Sequence, residues 1–223
     1  MAALFPLFVI SAALAVLAAP WALGLPWLAW IFKPLATIAV IAHAARRGEP
    51  GSPERRAVLA GLGLSLLGDI ALLWPERGFV PGLVAFLLAH LAYLVAFTRR
   101  ARFVGWPPAF IAYAVVAGGL LALLWSGVPA ALRLPVVAYV VCLASMAAQA
   151  AVAWWMQRGS VNASRARLAA IGGALFVFSD AIIAIDRFAQ PLPAASLWIL
   201  PAYWAAQWLI ASTLAPRKAS LPG

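Results

Sequence analysis

The segment GLGLSLLGDIALL, residues 61–73, decides how this chain is read. Twelve of its thirteen residues suit a lipid bilayer, and the other is a carboxylate, Asp69. A second segment, GGALFVFSDAIIAI, residues 172–185, puts Asp180 in the same setting. An ionised carboxylate at the centre of a bilayer costs at least about 2.5–3.5 kcal/mol, so such a residue faces the inside of a helix bundle and is a functional candidate by default.

The composition agrees with a membrane setting. Of 223 residues, 66% are hydrophobic and 10% charged, with a mean hydropathy of +0.99. Soluble domains run at about 45–50% apolar and about 25% charged. The chain is therefore read as an all-α polytopic membrane protein with a single transmembrane domain over residues 1–223. A net charge of +10 would suggest nucleic acid for a soluble protein. Here the basic residues fall in short loops between apolar runs, where they orient a protein in the membrane. Membrane lipids, not nucleic acid, are the expected surroundings. The lone Cys142 excludes an internal disulfide and any multi-cysteine metal site. Residues 1–19 lack a basic stretch ahead of the apolar run, so they read as a first membrane helix rather than a signal peptide.

A spanning helix needs about 20 mostly apolar residues. Eight windows fit, at roughly 3–20, 27–45, 56–74, 79–98, 106–125, 133–155, 166–188 and 195–214. Turn and charge signals separate them, such as RRGEPGSPERR at 46–56 and QRGSVNASRAR at 157–167. Twelve basic residues fall on one side: Arg46, Arg47, Arg55, Arg56, Arg99, Arg100, Arg102, Arg158, Arg165, Arg167, Arg217 and Lys218. The other side holds Arg77, Arg133 and Arg187. The rich side is predicted to be cytoplasmic, with both termini. Aligning Asp69 with Asp180 also aligns Gly61 with Gly172 and Gly68 with Ser179. Helix 3 then matches helix 7, which points to a parallel 4+4 internal repeat.

Polar residues converge on one level. Counting 1.5 Å per residue along each helix puts Asp69, Asp180 and Lys33 in the outer half of the membrane, with His90 and Gln207 about a turn deeper. Tyr203 lies one turn from Gln207. Ser65 and Asp69 share a helix face, as do Ser179 and Asp180, and His90 and Tyr93. Gly61, Gly172 and Gly173 would let their helices approach closely. Lys33 is expected to pair with Asp69, while Asp180 has no evident cationic partner. Pro34 frees a backbone carbonyl beside this layer. Ser65 and Ser179 read as packing residues more than nucleophiles, since no G-x-S-x-G elbow occurs. A three-histidine metal site cannot form, because the chain has two histidines and His43 belongs to the far end of helix 2. No metal and no organic cofactor are expected.

Two buried carboxyl groups close together cannot both ionise cheaply, which supplies an acid and a base in one dry pocket. Such a pair suits acid-catalysed cleavage through an oxocarbenium-like state, with Asp69 and Asp180 as catalytic residues. A vinyl ether is a substrate of this kind. Buried Asp, Lys and His also build proton relays, so a small-molecule or proton-coupled transporter is the alternative class.

The chain resembles the YhhN-type lysoplasmalogenase family of integral membrane hydrolases. The resemblance rests on Lys33-Pro34, GLGLSLLGD ending at Asp69, FLLAHLAY with Phe86, His90 and Tyr93, GALFVFSDAIIAIDRF with Ser179 and Asp180, and YWAAQWLIA with Tyr203 and Gln207. It implies an eight-helix fold with both aspartates at the site. It also implies hydrolysis of the vinyl ether bond of a lysoplasmalogen, a lysophospholipid, to a fatty aldehyde and glycerophosphoethanolamine or glycerophosphocholine. Lys33, Ser65, His90, Tyr93, Ser179, Tyr203 and Gln207 would then bind substrate or support the aspartates.

Overall fold

The computed structural model describes residues 4–74 and 76–216. Eight α-helices follow one another: α1 Leu4–Leu17, α2 Pro26–Ala45, α3 Pro53–Ala71, α4 Phe79–Thr98, α5 Pro107–Leu124, α6 Ala130–Met156, α7 Ala163–Phe188 and α8 Ala195–Ser212. Among the described residues one 3-10 turn, Trp125–Gly127, follows α5. Among the described residues there is no β-strand, only an isolated bridge between Arg47 and Pro216. Arg217, Lys218 and Ala3, the first residue of predicted helix 1, lie outside the described residues.

Local chemistry sets these limits. Pro26, Pro53 and Pro107 stand in the first turns of α2, α3 and α5, where a missing N–H costs nothing. Ser52 caps α3 by accepting from the Arg55 N–H at 3.4 Å. Gly48, with φ +69°, and Gly159, with φ +83°, take the left-handed conformation in the loops after α2 and α6. Pro34, Pro135 and Pro201 lie inside α2, α6 and α8 without breaking them, as neighbouring helices permit in a membrane bundle.

Six helices form the interior. α3 packs on α4, α7 on α8, α6 on both α7 and α4, and α2 on α3 and α8. Helix α1 covers α2 and α8, while α5 rests mainly on α6. The core joins many alanines to a few large side chains, Trp204, Tyr93, Phe97 and Phe176 among them. Glycine makes room for the aromatic ones. A Cβ on Gly61 would overlap the Tyr93 ring, and one on Gly173 would lie 3.0 Å from the Ala147 Cα. The outward faces are apolar too: Leu123 is 81% and Leu134 79% exposed.

Five of the predicted spans are long and apolar enough to cross a membrane: α2, α4, α6, α7, and α5 with its 3-10 turn. The chain is thus a membrane protein by its helices. The other three fall short for identifiable reasons. α1 has 14 residues. α3 carries Glu54, Arg55, Arg56 and Asp69. α8 carries Pro201, Tyr203 and Gln207. The last two include Asp69, Tyr203 and Gln207, which they send inward.

The loop arginines have a structural use beyond charge bias. Arg47 donates to the Leu214 and Ser212 carbonyls, and Arg55 to those of Arg47 and Ala45. These guanidinium groups satisfy the orphan carbonyls at the ends of α2 and α8. Arg100 pairs with Glu54 and donates to the Thr213 carbonyl at 3.1 Å.

The contact at Gly61 generates a test. Gly61→Ala should lower stability by about 1–3 kcal/mol through overpacking against Tyr93. Gly63→Ala, where an added Cβ meets nothing within 4 Å, should be neutral or slightly stabilising. Thermal unfolding of both variants in detergent checks the contrast.

Candidate active site

Helix α3 places Asp69 in the interior, with 1% of its surface exposed. Three neighbours meet it. Thr37 donates to Oδ2 at 2.5 Å, Tyr203 donates to the same oxygen at 2.7 Å, and the Lys33 ammonium stands 3.6 Å from Oδ1. Lys33 and Thr37 are one turn apart on α2, so one helix face supplies both. Thr37 in turn accepts from the Trp204 indole N–H at 3.1 Å. Tyr203 accepts from the Gln207 amide at 3.0 Å, and Tyr93 donates to the Gln207 carbonyl oxygen at 2.6 Å. Ser65 ends this chain 3.4 Å from the Tyr93 hydroxyl.

Asp180, on α7, has a separate set of partners. Tyr139 of α6 donates to its Oδ2 at 2.6 Å. His90 of α4 brings Nε2 to 3.1 Å from the Tyr139 hydroxyl and 3.6 Å from the same carboxylate oxygen. Because the Tyr139 proton is committed to Asp180, its oxygen is free to accept from His90, which puts a proton on Nε2. Nδ1 of His90 is buried, with no hydrogen-bond partner among the described residues. The imidazole ring is held edge-on by Phe176 and Tyr139, with centroids at 5.0 and 5.5 Å.

The structure therefore brings most of the residues singled out in the sequence into these two networks, with one correction. Asp180 does have a partner that can carry positive charge, His90, because α4 packs on α6 and α7 lies alongside. That adjacency leaves no mark in the periodicity of any one helix. Among the described residues no hydrogen bond links the two carboxylates, and each is held by its own donors. Ser179 stands apart from both networks and donates to the Ile199 carbonyl at 3.1 Å, tying α7 to α8. Asp186, near the end of α7, accepts from the Leu192 N–H at 2.7 Å and fixes the following loop.

Sequence reasoning missed Thr37, Tyr139 and Trp204. Thr37 had a signal, its position one turn from Lys33. Tyr139 had only the weak one of a hydroxyl in an apolar run.

Both carboxylates line one cavity of about 170 Å³. Lys33, His90, Tyr139, Ser179 and Tyr203 contribute the other polar side chains to it, and the rest of its lining is aliphatic and aromatic. Among the described residues no group of three or more His, Cys, Asp or Glu side chains is placed to hold a metal ion. The arrangement places a carboxyl group at two points of an apolar chamber, with Lys33 beside one and His90 beside the other.

The YhhN family profile matches residues 28–214. A human protein named lysoplasmalogenase TMEM86B is 35% identical over 174 residues, covering 78% of this chain and 69% of that protein. A Mycobacterium tuberculosis protein named lysoplasmalogenase is 34% identical over 187 residues, 78% of this chain and 66% of the relative. Bovine lysoplasmalogenase TMEM86A is 31% identical over 160 residues, 71% of this chain and 65% of its own. No solved structure matches the chain.

The Lys33–Asp69 contact generates a stability test. Lys33→Met strips a buried carboxylate of its cation, a change that costs about 3–5 kcal/mol when a pair is fully buried. Lys33 is 12% exposed, so a loss toward the lower end is expected. Asp69→Asn added to Lys33→Met should recover part of it, and a double-mutant cycle of thermal unfolding in detergent measures the coupling.

Proposed function

The chain belongs to the YhhN family, and from that premise we propose that it is a membrane hydrolase that cleaves the vinyl ether bond of lysoplasmalogens. The products are a fatty aldehyde and glycerophosphoethanolamine or glycerophosphocholine. The observation that carries this reading is that Asp69 and Asp180 line one apolar cavity, each with its own donors and its own basic neighbour. The relatives named lysoplasmalogenase point to the same substrate.

The chemistry runs as follows. A carboxylic acid protonates the alkenyl carbon remote from the ether oxygen. The oxocarbenium ion that forms is stabilised by the facing carboxylate. Water gives up a proton to a carboxylate and adds to the cation at the carbon bonded to oxygen. The hemiacetal then collapses, releasing the glycerol oxygen as an alcohol and the chain as an aldehyde. Asp69 and Asp180 share the acid and base duties. Tyr203 and Thr37 hold the first, Tyr139 and His90 the second, and Lys33 meets the anionic end of the lipid.

The same reading sets the protein across the membrane eight times. Both termini are then cytoplasmic, in keeping with the arginine-rich loops, and the cavity lies in the outer half. A parallel 4+4 repeat is supported by the packing order, since α2 against α8 is the counterpart of α6 against α4.

The test is purified protein in mixed micelles with lysoplasmenylethanolamine, followed by aldehyde detection. Asp69→Asn and Asp180→Asn should each lower kcat by about 10²-fold or more. The rate should pass through a maximum with pH, since one group must donate and one accept, and EDTA should leave it unchanged. Full activity in both Asn variants sinks the assignment. Loss of activity on chelation, restored by zinc, overturns the metal-free mechanism.

A further inference from the structure

The cavity has two unlike sides. Its polar groups come from α2, α3, α4, α6, α7 and α8, whereas α5 offers only aliphatic side chains: Val116, Ala117, Leu120, Leu121 and Leu124. Helix α5 packs mainly on α6, and α2 packs on α1, α3 and α8. The hollow therefore runs from Lys33 at one side to α5 at the other. Val116 lines the cavity and is also 58% exposed, so the hollow is open rather than sealed beside it.

The packing of α5 fits such a role. Its buried residues are Ala109 and Leu124, near its two ends. Ala109 belongs to a small cluster with Ala148 and Val152 of α6, which anchors the first half. Between the ends the helix is not sealed into the core. A Cβ added at Gly118 or Gly119 would meet nothing within 4 Å, so these glycines do not serve a close helix contact.

We propose that the second half of α5 is the chain-measuring wall of the substrate site. On the reading of the reaction given above, the hydrocarbon chain of a single-chain ether lipid enters from the bilayer beside Val116. It lies against Leu120 and Leu121, with its polar end at Lys33 and Asp69. The wall is aliphatic throughout, so it recognises length and bulk by contact area and holds no group that would bind the polar end instead. One methylene in such a pocket changes discrimination by roughly 10- to 200-fold.

The experiment compares alkenyl lysolipids of 8, 12, 16 and 18 carbons on wild type, Leu120→Trp, Leu120→Ala and Val115→Trp. Val115 is 68% exposed and does not line the cavity. Leu120→Trp should cut kcat/KM for the 16-carbon chain by at least about tenfold while leaving the 8-carbon chain nearly unaffected. Leu120→Ala should shift the preference toward the longest chain, and Val115→Trp should keep the wild-type profile. An equal loss at all lengths, or an unchanged profile in both Leu120 variants, overturns the proposal. A second readout does not need hydrolysis. A single-chain lysophospholipid with a diazirine at its chain end should label the segment from Val116 to Val128 on irradiation, less so in Leu120→Trp. Labelling confined to other helices overturns the wall assignment. If the wild type releases no aldehyde from any alkenyl lipid, the proposed reaction falls, and the labelling pattern alone then decides where the chain lies.

Discussion

Asp69 with its three partners is the constraint on which the bundle depends. A carboxylate removed from water is tolerated only where donors replace the water, because an unpaired buried charge costs several kcal/mol. Here the donors come from elsewhere in the chain: Lys33 and Thr37 from α2, Tyr203 from α8. Satisfying one side chain of α3 therefore forces α2, α3 and α8 to meet at one depth. Between apolar helices in lipid there is little hydrophobic drive to choose partners, so polar contacts and close small-residue packing do the choosing. Gly61 and the many core alanines supply the second of these.

Asp180 imposes the same demand on the other half. Its donors come from α6 and α4, so α4, α6 and α7 meet as α8, α2 and α3 do. Advancing each helix number by four, with α8 becoming α4, carries one trio onto the other. The frames correspond, but the chemistry does not. Asp69 has an ammonium, a threonine and a tyrosine; Asp180 has a tyrosine and an imidazole. Two carboxylates in matched frames thus meet unlike sets of donors within one cavity.

How much of this the sequence shows depends on the kind of signal. Helix limits follow from apolar run length and from punctuation such as Pro53 and Gly159, and the predicted windows fall within a few residues of the helices observed. The two aspartates and Lys33 stand out because charge inside an apolar run is rare. Tyr139 and Thr37 do not, since a single hydroxyl barely lowers the hydropathy of α6 or α2. The pairing of α4 with α6 and of α2 with α8 is a relation between distant segments, and helical periodicity reports only which face of one helix is buried. The partner of Asp180 that the sequence did not reveal traces to that gap: His90 is legible as a polar core residue, but nothing in α4 alone says that it faces α7.

The same division of labour separates rigidity from access. The six interior helices hold nearly all the buried polar groups, and opening any of them would expose a carboxylate's donors or strand the carboxylate. Such elements sit at the high end of local stability, whereas segments with few buried contacts are the ones free to move. Helix α5 is of the second kind: it brings no partner to either aspartate and is buried mainly near its ends. A fold that commits its stability to two satisfied carboxylates can leave one wall of the chamber lightly packed. The wall that can yield to an incoming chain is then the one whose yielding leaves both proton-transfer groups in place.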